Sequence, residues 1–302
     1  MVTALVTGAN AGLGFETARQ LAVDYGMDKV YLACRNPARA QAAKEELEKI
    51  TGKKIFDIVI MDTGDQESSK KAAESLQGSV DIVILNAGGQ FGMELTEDGV
   101  TKTFAVNLIG HVVFTEALLE SGKLPAGGAV VYAASFAARD VPEMGIERMK
   151  LKESSVEEFK TVADGSIFKS EGQNMEQYGL IKLMGALWMA TLSRKHPQVK
   201  FVTMSPGACH GTQGFANLPF FQRIVYGSAI KVMAWMGRAH GVETGAKRYI
   251  DAAVDDAYKT GVFYGSEKGV TGNVVDYEVF LPDLKDETIQ ENASTAIHSY
   301  IK

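Results

Sequence analysis

Short apolar, β-branched runs alternate with longer stretches of helical periodicity along the first two thirds of the chain. Val2–Thr7, Lys29–Cys34, Ile55–Met61, Ile82–Leu85, Ala129–Ala133 and Val199–Met204 are nearly continuous apolar runs, the pattern of strands covered on both faces, and Gly261–Tyr264 is a candidate seventh. Between them, Gly12–Tyr25, Thr96–Leu119 and a stretch running to Arg194 carry apolar residues at helical spacing, with Thr96 in the place of an N-cap. Strand and helix alternating in this way predict an α/β fold, a doubly wound parallel sheet of about seven strands with helices on both faces, formed by residues 1–302 as a single domain. Two stretches break the rhythm. Residues 139–177 are polar, lack a strand pattern and read as an insertion. Residues 213–241 are apolar and aromatic, including Phe215, Phe220, Phe221, Tyr226 and Trp235, and follow a strand's carboxyl end, where they are expected to form a lid. The tail, 283–302, repeats Leu284, Ile289, Ala293, Ile297 and Tyr300 at helical spacing and predicts a docked terminal helix.

Composition narrows the function classes. At 46% hydrophobic and 23% charged residues the chain is neither disordered nor fibrous, and a net charge of −6 without a basic block argues against a nucleic-acid partner. Two cysteines, Cys34 and Cys209, make no disulfide framework, and five scattered histidines lack ligand spacing, so no metal site is expected. The chain starts Met1-Val2-Thr3 and runs directly into a glycine loop, without the pattern of a signal peptide, and the apolar stretch Ile224–Met236 is interrupted by Lys231; a cytoplasmic location is the expectation.

The glycine loop is the first chemical signal. Thr7-Gly8-Ala9-Asn10-Ala11-Gly12-Leu13-Gly14 joins the first strand to the first helix, where glycines permit a tight turn and bring backbone N–H groups to a pyrophosphate at the positive end of the helix dipole. Gly8, Asn10, Gly12, Leu13 and Gly14 are therefore candidate cofactor contacts of a Rossmann-like domain. After the second strand, Ala33-Cys34-Arg35-Asn36 presents a guanidinium where an NAD site would place a carboxylate, which favours the 2′-phosphate of NADPH or NADP+. Asp62, at the end of the third strand, is in register to accept the adenine amino group, and Asn86-Ala87-Gly88 closes the fourth strand on the same side. Tyr178 and Lys182 stand at i and i+4, on one face of a predicted helix. A phenol titrates near 10, so acid–base work near neutrality needs a depression of roughly three pH units, to which a nearby ammonium and the positive nicotinamide ring of an oxidised cofactor contribute. Ser135 ends the fifth strand, where its hydroxyl can hold a substrate carbonyl oxygen, and Asn107 is placed to bind a water leading to Lys182.

Taken together these residues resemble the short-chain dehydrogenase/reductase family over roughly residues 1–270, with the glycine motif at Gly8, Gly12 and Gly14, Asn-Ala-Gly at 86–88 and a catalytic tetrad at Asn107, Ser135, Tyr178 and Lys182. The resemblance adds Pro206-Gly207 as cofactor contacts and Thr212 as the residue meeting the nicotinamide carboxamide. Ala-Cys-Arg-Asn at 33–36 and Asn-Leu-Ile-Gly-His at 107–111 are similar to the branch that holds retinol dehydrogenases and protochlorophyllide oxidoreductases. That branch implies NADPH and a bulky hydrophobic substrate, and the motifs together suggest hydride transfer to a carbonyl; Cys209 and His210, close to the expected nicotinamide site, and Phe215 in the apolar stretch are candidate substrate contacts. The alternatives are reduction of a carbon–carbon double bond, as in protochlorophyllide, and an NADPH-binding regulatory role. In the light-driven enzymes a cysteine directly follows Pro-Gly, whereas Ala208 intervenes here, and the residues between Tyr178 and Lys182 also differ from theirs. A homodimer and peripheral membrane contact through 213–241 complete the partner expectations.

Overall fold

The computed structural model describes residues 2–142, 147–169, 173–210 and 239–302. The apolar runs become strands β1 (Thr3–Thr7), β2 (Lys29–Cys34), β3 (Phe56–Ile60), β4 (Ile82–Leu85), β5 (Ala129–Ala133) and β6 (Lys200–Met204). After them come the two-residue pair β7 (Cys209–His210) and β8 (His240–Gly241), then β9 (Phe263–Lys268) and β10 (Thr271–Asp276). Eight of these form one sheet in the order β10-β9-β6-β5-β4-β1-β2-β3. β1 pairs in parallel with both β2 and β4, so the chain reverses its direction of winding there and opens a crevice at the strands' carboxyl ends.

Alternate residues of each strand feed two cores. Val130 and Tyr132 of β5 belong to one; Ala129, Val131 and Ala133 belong to the other. Helices α1 (Gly12–Val23) and α2 (Pro37–Thr51) cover one face. The other is covered by α3 (Gln66–Ser75) and by a helix that starts as α4 (Lys102–Phe104), passes through a π-turn at Ala105–Ile109 and continues as α5 (Gly110–Glu120). Within the insertion lies α6 (Val156–Ala163), followed by α7 (Asn174–Lys195), which belongs to that second face. Helix α8 (Val242–Val254) packs on the first, and the terminal α9 (Glu287–His298) on the second.

Two expectations are refined. The sheet has eight strands rather than about seven, and it is not wholly parallel: β10 returns antiparallel to β9 through a turn at Gly269. Its polar edge sequence, Thr271-Gly272-Asn273, hides it from an apolar-run criterion. The helix expected from Thr96 starts at Lys102 instead, because Gly99 takes a left-handed φ of +76°, Thr96 N–H donates to Val100 O at 2.8 Å, and Thr101 caps the helix by accepting from Phe104 N. Within residues 139–177, Ser155 caps α6 and Phe159, Val162 and Ala163 join the core. The tail docks on its own chain, burying Ala293, Ala296 and Ile297 and pairing His298 with Glu116 at 2.9 Å. The lid at 213–241 lies outside the described residues except for 239–241, as do Thr212 and Phe215. Lys102–Glu120 is long and apolar enough to cross a membrane, with a mean hydropathy of 1.2, but 72% of it is buried inside the protein as a core helix.

Candidate active site

The cofactor half of the site is set by the turn out of β1. Gly8 and Gly12 have φ of +67° and +56°, conformations that disfavour side chains. A Cβ on Gly14 would lie 2.4 Å from Gly8 O and 2.6 Å from Asn86 Nδ2, so glycine lets α1 close against the loop. Asn86 Nδ2 donates to Thr7 O at 2.9 Å and Ala87 N donates to Thr7 Oγ1 at 2.8 Å, tying the ends of β1 and β4 together. At the N-cap of α1 stands Ala11, which offers no side-chain acceptor, and the first turn contains no acid. Its N–H groups are thus left for an anion, and a pyrophosphate fits this cradle. Asn10 and Leu13 line the same turn, both partly buried. Arg35, with its side chain 62% exposed, lies 3.8 Å from Asp62 at the carboxyl ends of β2 and β3, so the two residues expected at the adenosine end are neighbours.

The chemical half is built on α7. A Cβ on Gly179 would sit 2.1 Å from Ala137 O; glycine after Tyr178 therefore lets α7 touch the 3₁₀ turn Phe136–Ala138 that follows Ser135. Ser135 Oγ accepts from Ala137 N at 3.2 Å. Lys182 is 2% exposed, its Nζ donating to Ala133 O at 2.8 Å. Gly88 joins the two halves: a Cβ there would be 2.4 Å from Asn107 Oδ1 and 3.5 Å from Lys182 Nζ.

Asn107 lies in the π-turn, a bulge of the kind often found at functional sites. Its Nδ2 donates to Gly89 O and Thr103 O at 2.7 and 2.8 Å, and its Oδ1 accepts from Gly89 N at 3.1 Å. Its carbonyl accepts from Tyr132 Oη at 3.0 Å and from His111 Nδ1 at 3.2 Å. The amide expected to hold a water is thus first a staple for the Gly88–Gly89 segment. With Nδ1 donating to a carbonyl, the other nitrogen of His111 is an acceptor, and Thr7 Oγ1 donates to it at 3.1 Å. Burial, together with the Lys182 charge, pulls His111 down to about 3, so it is neutral. An unfolded chain binds this proton from pH 6.5 downward and the folded one does not. Stability should fall on acidification through that window, by about 1.4 kcal/mol per pH unit from this one group. Urea titrations of H111Q between pH 7 and 4 should show a correspondingly flatter decline; an unchanged slope contradicts the assignment.

Burial pushes the Tyr178 phenol up to about 12 and brings Lys182 down to about 7. The phenol is therefore protonated at neutral pH, contrary to the depressed value expected from sequence: Lys182 Nζ lies 5.4 Å from the Tyr178 ring centroid and does not offset desolvation.

Pro206–Gly207 forms the third wall. Gly207 has φ +80°, and a Cβ there would lie 2.5 Å from Val270 O. Pro206 O accepts from His240 Nε2 at 2.7 Å and from Cys209 Sγ at 3.5 Å. Cys209 is buried against Gly245, its thiol pushed up to about 12, while His210 is exposed. Sequence reasoning missed the supports of this wall. Arg139, 3% exposed, donates to Ser266 O and Gly269 O at 3.1 and 3.0 Å; Arg248 donates to Ser266 Oγ and Gly272 O at 2.9 and 2.7 Å. Both fix the β9–β10 hairpin, whose Val270 O accepts from Ala208 N at 2.8 Å. No local pattern separates a buried arginine that binds carbonyls from a solvated one.

A phosphate cradle connected through Asn86–Gly88 to a half-buried tyrosine and a buried lysine is the arrangement of a dinucleotide-dependent oxidoreductase on a doubly wound sheet. Residues 2–146 match the family model for short chain dehydrogenases. Dehydrogenase/reductase SDR family member 12 from Bos taurus is 29% identical over 206 residues, covering 67% of this chain and 59% of that protein. Retinol dehydrogenase 11 from Mus musculus is 34% identical over 137 residues, 44% of this chain and 43% of its own length. Among solved structures, an uncharacterized protein from Mycobacterium paratuberculosis superposes with a TM-score of 0.71 at 22% identity, covering 100% of this chain and 93% of the other. These matches support a short-chain dehydrogenase/reductase, in the branch that includes the retinol dehydrogenases. The chain spans less than two thirds of the length of these two curated relatives.

Proposed function

We propose that the protein is an NADPH-dependent carbonyl reductase, and in reverse an alcohol dehydrogenase, acting on a bulky hydrophobic aldehyde or ketone. The observation that carries this reading is the placement of Tyr178 on the helix that touches the Ser135 turn, with Lys182 buried one turn further on. The nicotinamide, when bound, supplies the hydride to the carbonyl carbon. Ser135 orients the carbonyl oxygen, and Tyr178 gives that oxygen its phenolic proton. Lys182 holds the nicotinamide ribose and supports the phenolate left behind. In the oxidative direction Tyr178 must first lose its proton, which the positive ring of NADP+ favours.

Preference for NADPH is supported by Arg35, exposed at the end of β2, while Asn36 is committed to capping α2 through Arg39 N at 3.0 Å. R35E is expected to raise the NADPH Kd by ~10- to 100-fold, the loss of a charge-assisted contact, and the NADH Kd far less. Equal changes for both cofactors contradict the role. A hydrophobic substrate is supported by the similarity to retinol dehydrogenase 11 and by the apolar composition of 213–241. NADPH consumption against aldehydes and ketones of increasing apolar size, beside conjugated enones, in darkness and in light, tests the reading. Dark turnover that improves with apolar size is expected; consumption restricted to enones, or dependent on light, overturns it.

A further inference from the structure

Lys182 is the most deeply buried cation of the site, and among the described residues it makes no ion pair with a carboxylate. Three titratable groups face it: Tyr178 on its own helix, His111 on α5 and Tyr132 on β5. His111 is neutral and Tyr178 protonated at neutral pH, so neither offers the ammonium a negative charge. Two aromatic rings remain within reach of Nζ, Tyr178 with its centroid at 5.4 Å and Tyr132. Tyr132 is the closer of them. It is 0% exposed, and Lys182 Nζ stands 4.8 Å from its ring centroid, within the range in which the negative face of an aromatic ring attracts a cation.

The ring is held in that place from every side. Its hydroxyl donates to Asn107 O at 3.0 Å; His111 and Trp188 meet it edge-on, at interplanar angles of 81° and 87°. On α7, a Cβ at Gly185 would lie 2.2 Å from Tyr132 Cε1, so the glycine three residues after Lys182 is what admits the ring beneath the helix. We propose that Tyr132 is the positioning residue of the catalytic lysine: the face of its ring, rather than an anion, seats the Lys182 ammonium, while its hydroxyl locks the ring to the π-turn. Seated in this way, the ammonium holds its proton more firmly than burial alone would allow, and remains available to the cofactor ribose and to Tyr178.

This inference rests on the tyrosine–lysine mechanism proposed above, and its test reads both turnover and cofactor binding. The alkaline limb of kcat/KM, and separately the NADPH Kd from pH 5.5 to 9.5, is measured for the wild type, Y132F and Y132M. Methionine fills a similar volume without a π-face. Y132M is expected to move the limb to lower pH by ~0.5 to 1.5 units, the proton-affinity equivalent of one cation–π contact, and Y132F to leave it in place. Phenylalanines carrying one, two and three ring fluorines at position 132 preserve the shape and withdraw the π-density, and they read the same quantity if Y132M does not fold. A stepwise acid shift with fluorination is expected. A limb insensitive to fluorination, or displaced as far in Y132F as in Y132M, overturns the proposal. If no carbonyl is turned over by the wild type but the NADPH titration still shifts with fluorination, the substrate reading fails and the lysine seat stands.

Discussion

Replacing Tyr178 with phenylalanine should lower kcat for carbonyl reduction by ~10²- to 10⁴-fold, the usual contribution of a positioned general acid. The hydroxyl is the only atom removed, and the ring stays on α7 above the turn that Gly179 admits. Thermal stability and NADPH affinity should therefore remain close to those of the parent, because the glycine loop, Arg35 and Lys182 are untouched. The pH dependence follows from the direction of the phenol's shift. With Tyr178 pushed up to about 12, the proton it donates is present throughout the neutral range, so reduction should show no alkaline loss from Tyr178 itself below about pH 10. Oxidation of the corresponding alcohol should rise with pH over the same interval, because it begins from the phenolate. Stopped-flow or steady-state rates in both directions check this, and a Y178F protein that reduces carbonyls at the parental rate removes Tyr178 from the chemistry.

The second large effect is expected at Gly14. Alanine there would place a Cβ 2.4 Å from Gly8 O, a backbone atom that does not swing aside as a side chain would. Either α1 moves away from the loop or Gly8 leaves its left-handed conformation, and both spoil the cradle at the first turn. Overpacking of this kind costs about 1–3 kcal/mol, so the NADPH Kd of G14A should rise by ~5- to 150-fold. Fluorescence titration of NADPH, beside circular dichroism to confirm folding, measures it. Alanine at Gly26, where a Cβ has nothing within 4 Å but φ is +65°, is the control: it strains the backbone without touching the loop and should lower stability rather than cofactor affinity. An unchanged Kd in G14A contradicts the placement of the pyrophosphate.

Much of this is legible in the sequence, for physical reasons that also mark where legibility stops. β2, β4 and β5 fall where their apolar runs predict, because a strand covered on both faces has no polar residue to blur its ends. β10, at the sheet edge, carries Gly272 and Asn273 on its exposed side and leaves no such trace. The Tyr178–Lys182 pair is visible because i, i+4 spacing on a helix is a local property. The environment that sets their proton affinities is not local. Tyr132 comes from a strand more than forty residues earlier, Asn107 from a π-turn that no spacing rule announces, and Gly88 from a third segment. Gly179 and Gly185 are the traces of those contacts in α7: a helix with two interior glycines carries a propensity cost, and each coincides with a close approach, to Ala137 O and to the Tyr132 ring. The lysine's charge by itself does not depress the tyrosine, because burial acts on both groups, in opposite directions.

The central claim is that this site moves a hydride from a nicotinamide to a carbonyl carbon, with Tyr178 and Lys182 managing the proton. Turnover of 4-deuterated NADPH, with each C4 position labelled in turn, with a hydrophobic aldehyde in darkness and mass analysis of the product tests it most directly. One deuterium on the carbinol carbon from one of the two labelled cofactors, lost together with turnover in Y178F, is the expected result. Deuterium at the β-carbon of an α,β-unsaturated aldehyde whose carbonyl group is left intact, or NADPH binding without transfer to any carbonyl, would contradict it.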